Sequence, residues 1–469
     1  MSVGWIARRS ILMTPEPSAA VFANRRQRLA EKLRGPALLI SGLARARNYR
    51  ANRYPFRAES HFLYFVGCSL EGAALVVRPG GSVLYAEPPD PEEALWTGSQ
   101  PTLEELSNEL ELEVRPLDEL RLDEPTATLP SADAETAFLQ SDLVGRDVIA
   151  ASGPELEGID RALAEAVIEL RLIHDAAAIA EIRAAAAVTE RAHRAGMRAT
   201  RPGLREAAVV AAMDAEIVAA GCTHAYQPIV TREGEVLHDE RHHRLLAAGD
   251  LLLADVGAES PGGWASDVTR TWPVSGKYSG SQRAVYEVVL AAQSAAIDAV
   301  RPGARYRDVH RVAGKRLLEG LVALGLFRGD TEELYARGAA ALFFPHGIGH
   351  LLGLDVHDME DLGDRAGYAP GRERSRNFGD RYLRLDRDLA AGMIVTIEPG
   401  YYRIPYLLER PEEVGELESA LDRRVLAELA DVRGIRIEDD VLVTQTGAEV
   451  LTASIPKAPD DVEAVMRGA

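Results

Sequence analysis

Carboxylates stand inside apolar runs at three places in the second half of this 469-residue chain, and no other sequence feature restricts its fold as strongly. Asp255 interrupts LLLADV, Glu398 ends MIVTIE, and Glu438 lies between Ile437 and the Val441-Leu442-Val443 run. Apolar runs of this length read as buried strands. An isolated buried carboxylate is strongly disfavoured and either takes up a proton or pairs with a cation, so several in one core require arginines or multivalent cations. Singly, each acid reads as an ordinary salt-bridged strand residue; the combination demands a common partner.

Asp255 and Asp267 flank the Gly-rich stretch AESPGGWAS, which predicts a hairpin that brings the two acids together. Arg436 and Glu438, two residues apart, share a strand face, so a guanidinium is expected beside the acid as an orienting partner and candidate substrate-binding group. The segment FFPHGIGHLLGLDVHD adds His346, His350 and His357 within twelve residues. Its HxxxH spacing matches a zinc-protease helix, but Gly347 stands where the glutamate base belongs and Gly349 disfavours a helix, which rejects that reading. Four carboxylates with one imidazole form a hard, oxygen-rich donor set. Their charge balances two divalent cations, with manganese expected and cobalt, iron or zinc as alternatives. The only cysteines, Cys68 and Cys222, exclude a disulfide framework and a Cys-x-x-Cys metal site.

Length implies more than one domain, at about 150 residues each. Apolar runs punctuated by Gly and Pro (37–42, 73–79, 82–87) alternate with helical text at 23–34, 103–112 and 156–171, an α/β pattern ending near residue 172. A long helix at 176–199 opens the second region, with further helices at 204–220, 281–300 and 306–325 and strands at 250–258, 265–274, 392–402 and 434–444. That region is α+β, and its strands carry the acids. The segment from Asp358 to Asp380 reads as an extended charged loop. A net charge of −19, from 72 acidic and 53 basic residues, argues against nucleic acid as a partner. No stretch reaches the roughly 18 apolar residues of a membrane span. The apolar residues after Arg8-Arg9 are too few for a secretory signal, so the cytoplasm is the expected location, with Met13 an alternative start.

The text LLLADVGAE…ASDVTRTWPVSGK, HGIGHLLGLDVHD, GMIVTIEPG and GIRIEDDVLVT resembles the creatinase/aminopeptidase, or pita-bread, metallopeptidases, in particular the aminopeptidase P and prolidase branch. YPFRAESHFLYFVG (54–67) and EALWTG (93–98) are similar to that branch's amino-terminal domain. The resemblance implies an α/β amino-terminal domain at 1–172 and an α+β pita-bread catalytic domain at 173–469. It places two metals on Asp255, Asp267, His350, Glu398 and Glu438, with Glu398 also relaying the proton of the attacking water. His238 and His346 are implied in the substrate pocket, and His357 as a donor to the substrate carbonyl. The implied substrate is a peptide or dipeptide with proline second, cut in front of the proline by an aminopeptidase P or, alternatively, a prolidase. A non-catalytic peptide-binding relative is disfavoured because all five ligands are present. Arg384 falls where prolidases place an arginine for the dipeptide carboxylate, and LLERPEEVGELESALDRRVLAELADV resembles an insertion of the larger prolidases. Relatives form homodimers or homotetramers, and Trp96 is a candidate to reach a neighbour's site. The chain departs from the family pattern at TREGEVLHDERHH, where Asp239 replaces a tyrosine after the histidine, which bears on substrate preference more than on metal binding.

Overall fold

The computed structural model describes residues 17–410 and 414–468. The leader reading and Met13 fall in 1–16, outside the described residues, as do 411–413 within the expected insertion. The chain separates into two compact units. One comprises Met1–Ala180 with Pro261–Gly263 and Met359–Ala366; the other comprises Glu181–Ser260, Trp264–Asp358 and Gly367–Ala469.

The first unit is built on a five-stranded mixed sheet of β1 (Ala37–Ile40), β2 (Ala74–Arg78), β3 (Gly81–Ala86), β4 (Glu113–Pro116) and β5 (Ala127–Thr128), in the order β4-β3-β2-β1-β5. All four residues of β1 and the first four of β2 are buried, as an apolar run covered on both faces requires. The helix expected at 23–34 runs from Ala19 to Lys32 and buries Arg25 and Arg26 along with Phe22 and Leu29. Its amphipathic pattern suggests a solvated arginine face, but each guanidinium has internal acceptors. Arg25 pairs with Asp175 through two bonds of 2.9 Å and donates to the Tyr64 carbonyl, while Arg26 donates to the Phe65 carbonyl at 2.8 Å. Both carbonyls belong to the fully buried helix Ser60–Val66, within the expected YPFRAESHFLYFVG motif.

The second unit opens on the long helix Ala176–Ala199, whose first turns belong to the first unit. Short antiparallel ladders then carry the acids: β6 (Thr223–His224), β7 (Ile229–Thr231), β8 (Leu251–Asp255), β9 (Ala258–Glu259) and β10 (Thr269–Pro273), followed by β11 (Ile394–Ile397), β12 (Gly400–Tyr402), β13 (Gly434–Arg436), β14 (Asp439–Val443) and β15 (Ala448–Val450). Strand order is β10-β8-β7 in one sheet and β11-β14-β15 in another, with β12–β13 and β9–β6 as two-stranded ladders. Helices Gly280–Ala299 and Tyr306–Ala323 pack on each other and bury their apolar faces. Among the described residues no helix is long and apolar enough to cross a membrane. The expected charged loop contains a 3-10 turn at Glu360–Leu362 and a short helix at Asp364–Gly367.

Candidate active site

Strand pairing brings the acids to one place. β8 and β10 run antiparallel with Asp255 opposite Thr269, and the ladder extends through the bond from Val256 N–H to Val268 O, so Asp267 follows two residues beyond the strand end. Gly257 makes this crossing possible, since a Cβ there would lie 1.8 Å from the Ser266 carbonyl oxygen. The other two acids occupy matching breaks. Residues 392–402 and 434–444, each expected as one strand, are each split in two. β11 pairs with β14 (Ile397 opposite Asp439) and β12 pairs with β13 (Gly400 opposite Arg436), which leaves Glu398 and Glu438 at the gaps between ladders. The Glu438 N–H donates to the Thr269 carbonyl, tying the gap to β10.

The histidine segment is extended rather than helical. Leu351 bridges to Val395, Thr396 N–H donates to His350 O, and Glu398 N–H donates to Ile348 O, so the segment runs along β11. Gly349 has φ +150°, and a Cβ on it would lie 2.3 Å from the Thr396 carbonyl oxygen. His350 approaches the Leu351 carbonyl through Nδ1 at 3.0 Å, which turns Nε2 toward Asp267 Oδ2 at 3.3 Å and Glu398 Oε1 at 3.7 Å. Ligand atoms of Asp267, His350 and Glu438 all lie within 4.8 Å of one another.

Sequence reasoning named Arg436 among the groups that hold this cluster and missed Tyr226, Thr269 and Tyr402. The Tyr226 hydroxyl lies 2.6 Å from Asp255 Oδ1 and 2.6 Å from Asp267 Oδ1. Arg436 Nη2 donates to Asp255 Oδ2 at 2.5 Å, Nε to Thr269 Oγ1 at 2.9 Å and Nη1 to the Tyr402 hydroxyl at 3.0 Å. Thr269 in turn donates to Glu438 Oε2 at 2.6 Å. Arg436 therefore orients Asp255 directly and reaches Glu438 through Thr269, rather than standing beside Glu438 as expected. Asp440 accepts from the Ser266 hydroxyl and the Asp267 N–H, and Asp439 from Arg270, Gln293, Thr452 and Lys457. The IEDD text contained this signal, because two more acids follow Glu438 in the same apolar strand.

The electrostatics fit divalent cations. Burial raises the Glu438 carboxyl well above the usual range, reinforced by Asp267, Glu398 and Asp255. Burial likewise lifts Glu398 to about 7, and it lifts Asp255 despite Arg436. Burial raises Asp267, but His350, Tyr226 and His357 together outweigh it and hold the carboxyl low. A phenol has one proton, so Tyr226 can serve both aspartates only if one is itself protonated or a cation takes the place of that proton. Convergent carboxylate groups and an imidazole Nε2, with one guanidinium among them, make a hard donor set of the kind that suits a divalent metal ion.

These residues open onto a cavity of about 720 Å³. His346, His357, His238 and Arg384 all line it, as do Arg374 and Arg381. His346 approaches Tyr402 at 2.8 Å and the Gly347 carbonyl at 2.7 Å, and burial pushes its imidazole down to about 3, so it is neutral. His357 packs edge-on against His350, with ring centroids 4.3 Å apart. His238 is exposed at the cavity, while its neighbour Asp239 is buried and bonded to Arg241 and Arg244.

Comparison with known proteins agrees with this geometry. Residues 180–445 match metallopeptidase family M24, and residues 22–129 match the aminopeptidase P N-terminal domain. The chain is 34% identical to the probable Xaa-Pro aminopeptidase of Talaromyces marneffei over 88% of each chain. It is equally similar to one from Fusarium vanettenii, over 88% of this chain and 87% of that one. Among solved structures, Pseudomonas aeruginosa aminopeptidase PepP superposes with a TM-score of 0.80 at 29% identity, covering 97% of this chain and 99% of that one. Escherichia coli aminopeptidase P with the inhibitor Pro-Leu gives 0.78 at the same identity and coverage. With a cluster of buried candidate ligands within its matched region, this chain belongs to metallopeptidase family M24 and carries the pita-bread catalytic fold after an aminopeptidase P type amino-terminal domain.

Proposed function

We propose that this chain is a dinuclear-metal Xaa-Pro aminopeptidase that releases the residue in front of a proline from the amino terminus of peptides. Residues 1–172 are assigned as the amino-terminal domain and 173–469 as the catalytic domain. The observation that carries the reading is the convergence of Asp255, Asp267, His350, Glu398 and Glu438 from separate segments around one cavity. These five would hold two divalent cations, assigned as manganese. The chemistry supplied by the bound cations is a water acidified for attack at neutral pH and a polarised carbonyl.

Glu398 takes the proton of the attacking water and delivers it to the proline nitrogen as the bond to the preceding carbonyl carbon breaks. His357, on the cavity wall beside His350, donates to the carbonyl oxygen as negative charge develops, an interaction commonly worth a few kcal/mol. Arg436 and Tyr226 hold Asp255 and Asp267 in position, and Arg436 also lines the cavity, where a substrate carbonyl can meet it. His346, kept neutral by burial, and His238 bound the substrate pocket. A proline ring suits the apolar wall of Ile229, Leu237, Ile404 and Leu407, and its tertiary nitrogen asks for no acceptor.

The likeness to aminopeptidases P favours longer peptides over the dipeptide-only alternative, prolidase, for which Arg384 would bind the carboxylate. Hydrolysis of Gly-Pro and Gly-Pro-Ala at fixed manganese separates the two: turnover of the tripeptide supports the proposal, and turnover of the dipeptide alone overturns it. Glu398→Ala should abolish both reactions, and retention of full activity would sink the mechanism. Assembly as a homodimer or homotetramer belongs to the same proposal, with Trp96, 83% exposed, available for a contact. Sedimentation of the intact chain tests it.

A further inference from the structure

A second cavity of about 530 Å³ lies in the catalytic unit, and it takes no part in the proposed reaction. It is lined by His310 and Arg311 on the helix Tyr306–Ala323, by Tyr335 and Arg337, and by the turn Asn377–Asp380. His310 is 3% exposed, and its Nδ1 has no hydrogen-bond partner. Its Nε2 stands 3.8 Å from Asp380 Oδ1, and Arg311 Nη2 stands 4.0 Å from Asp380 Oδ2. Both gaps exceed a hydrogen bond, so the three polar groups face one another without closing on one another. They stand as one polar cluster on the cavity wall, where a polar guest can lie against them.

The charges narrow the guest. Two guanidiniums, Arg311 and Arg337, beside one imidazole make a poor cation site, and the Asp380 carboxylate among them calls for a guest that carries positive as well as negative charge. An α-amino acid carries its ammonium and carboxylate one carbon apart, which suits a guanidinium and a carboxylate that are themselves neighbours. Ala340, Ala341 and Leu417 add an apolar wall for a side chain. Arg311 Nη1 is also 3.3 Å from Asp308 on the exposed side, which leaves Nη2 toward the cavity.

Two features join this cavity to the catalytic one. Phe378 lines both. The turn that carries it is tight, with Asp380 and Arg381 N–H groups both donating to the Asn377 carbonyl and Gly379 at φ +95°. Its Asp380 faces the second cavity, while Arg381, stacked between Phe378 and Tyr382 at 5.1 and 4.8 Å, lines the first. Phe344 bridges by packing, its ring 5.3 Å from His310 and 4.8 Å from His346.

We propose that the second cavity is an effector site for a free α-amino acid, its carboxylate on Arg311 and its ammonium on Asp380, sensed at the catalytic cavity through the Phe378 turn and Phe344. Binding stands apart from the peptidase reading; the effect on turnover rests on it. The test is calorimetric titration of the metal-loaded full chain with L-alanine, N-acetyl-L-alanine and L-alaninamide. The expected result is saturable L-alanine binding, weakened at least tenfold on loss of either charge and at least tenfold in Arg311→Met or Asp380→Asn, yet retained in Glu398→Ala. No binding, or binding lost in Glu398→Ala and kept in Arg311→Met, places the amino acid in the catalytic cavity or nowhere and overturns the site. L-alanine should change kcat for Gly-Pro-Ala in the wild type and not in Arg311→Met, whose basal rate is unchanged. Binding with no change in kcat refutes the effector role, whereas absent hydrolysis with intact binding counts against the peptidase reading alone.

Discussion

Tyr226 touches two carboxylates with a single hydroxyl proton, and that imbalance makes it the most informative residue outside the ligand set. Tyr226→Phe keeps the ring and removes the link between Asp255 and Asp267. The expected result is a folded protein with activity or metal affinity reduced about 10- to 100-fold, the usual cost of losing a group that orients a ligand. Titration of the chelated protein with manganese, followed by assay, checks this; a wild-type rate and affinity would contradict it. Arg436→Met should be harsher, because it leaves the buried Asp255 without its cation, a change that commonly costs about 3–5 kcal/mol. The loss of melting temperature should be larger in chelated than in metal-loaded protein. The proposed ligands stood out in the sequence because a carboxylate in an apolar run is costly and therefore conspicuous. Tyr226, Thr269 and Tyr402 were not, because a tyrosine or threonine in a strand is ordinary, and only the distance to a carboxylate reveals its role.

Among the elements, the histidine segment and the His238 loop respond most sharply to local change. Gly349→Ala places a methyl group against the Thr396 carbonyl at a φ that L residues rarely adopt, and so pushes on the strand that ends in Glu398. The expected outcome is a melting temperature lower by several degrees together with loss of activity; an unchanged melting curve would show that the segment can yield. The His238 loop hangs on Asp239. Burial raises this acid, but hydrogen bonds from Arg241 and Arg244 outweigh it and hold the carboxyl at about 2, below its ordinary 3.8. A carboxyl depressed in the folded state contributes stability that is present above the unfolded value and lost as pH falls through the folded one. The melting-temperature gap between wild type and Asp239→Asn should thus be full at pH 7 and narrow between pH 3.8 and about 2. A gap independent of pH over that window would remove the charge from the account. Most helices were legible from periodicity, and Ala176–Ala199 matches its expected bounds. The splits at Glu398 and Glu438 were not, since an unbroken apolar run says nothing about where a strand changes partner.

For the whole molecule, four carboxylates gathered from across the catalytic unit would, as the proposed ligands, tie its stability to metal. Chelation should lower the melting temperature, and manganese at about one hundred times its dissociation constant should restore about 2.7 kcal/mol for each site. Equal melting of chelated and loaded protein would overturn the ligand assignment. By itself the sequence marked out a candidate metal-type cluster, because acids at Asp255, Glu398 and Glu438 stay buried only with protons, arginines or multivalent cations as partners. It also determined the α/β then α+β order, because helical and strand periodicities are local properties of the chain. Only the tertiary structure decided that Arg436 grips Asp255 rather than Glu438, that Arg25 and Arg26 lie inside the first unit, and that Phe378 separates two cavities. Those facts depend on which strands pair and which segments pack, and distance along the chain carries no record of either.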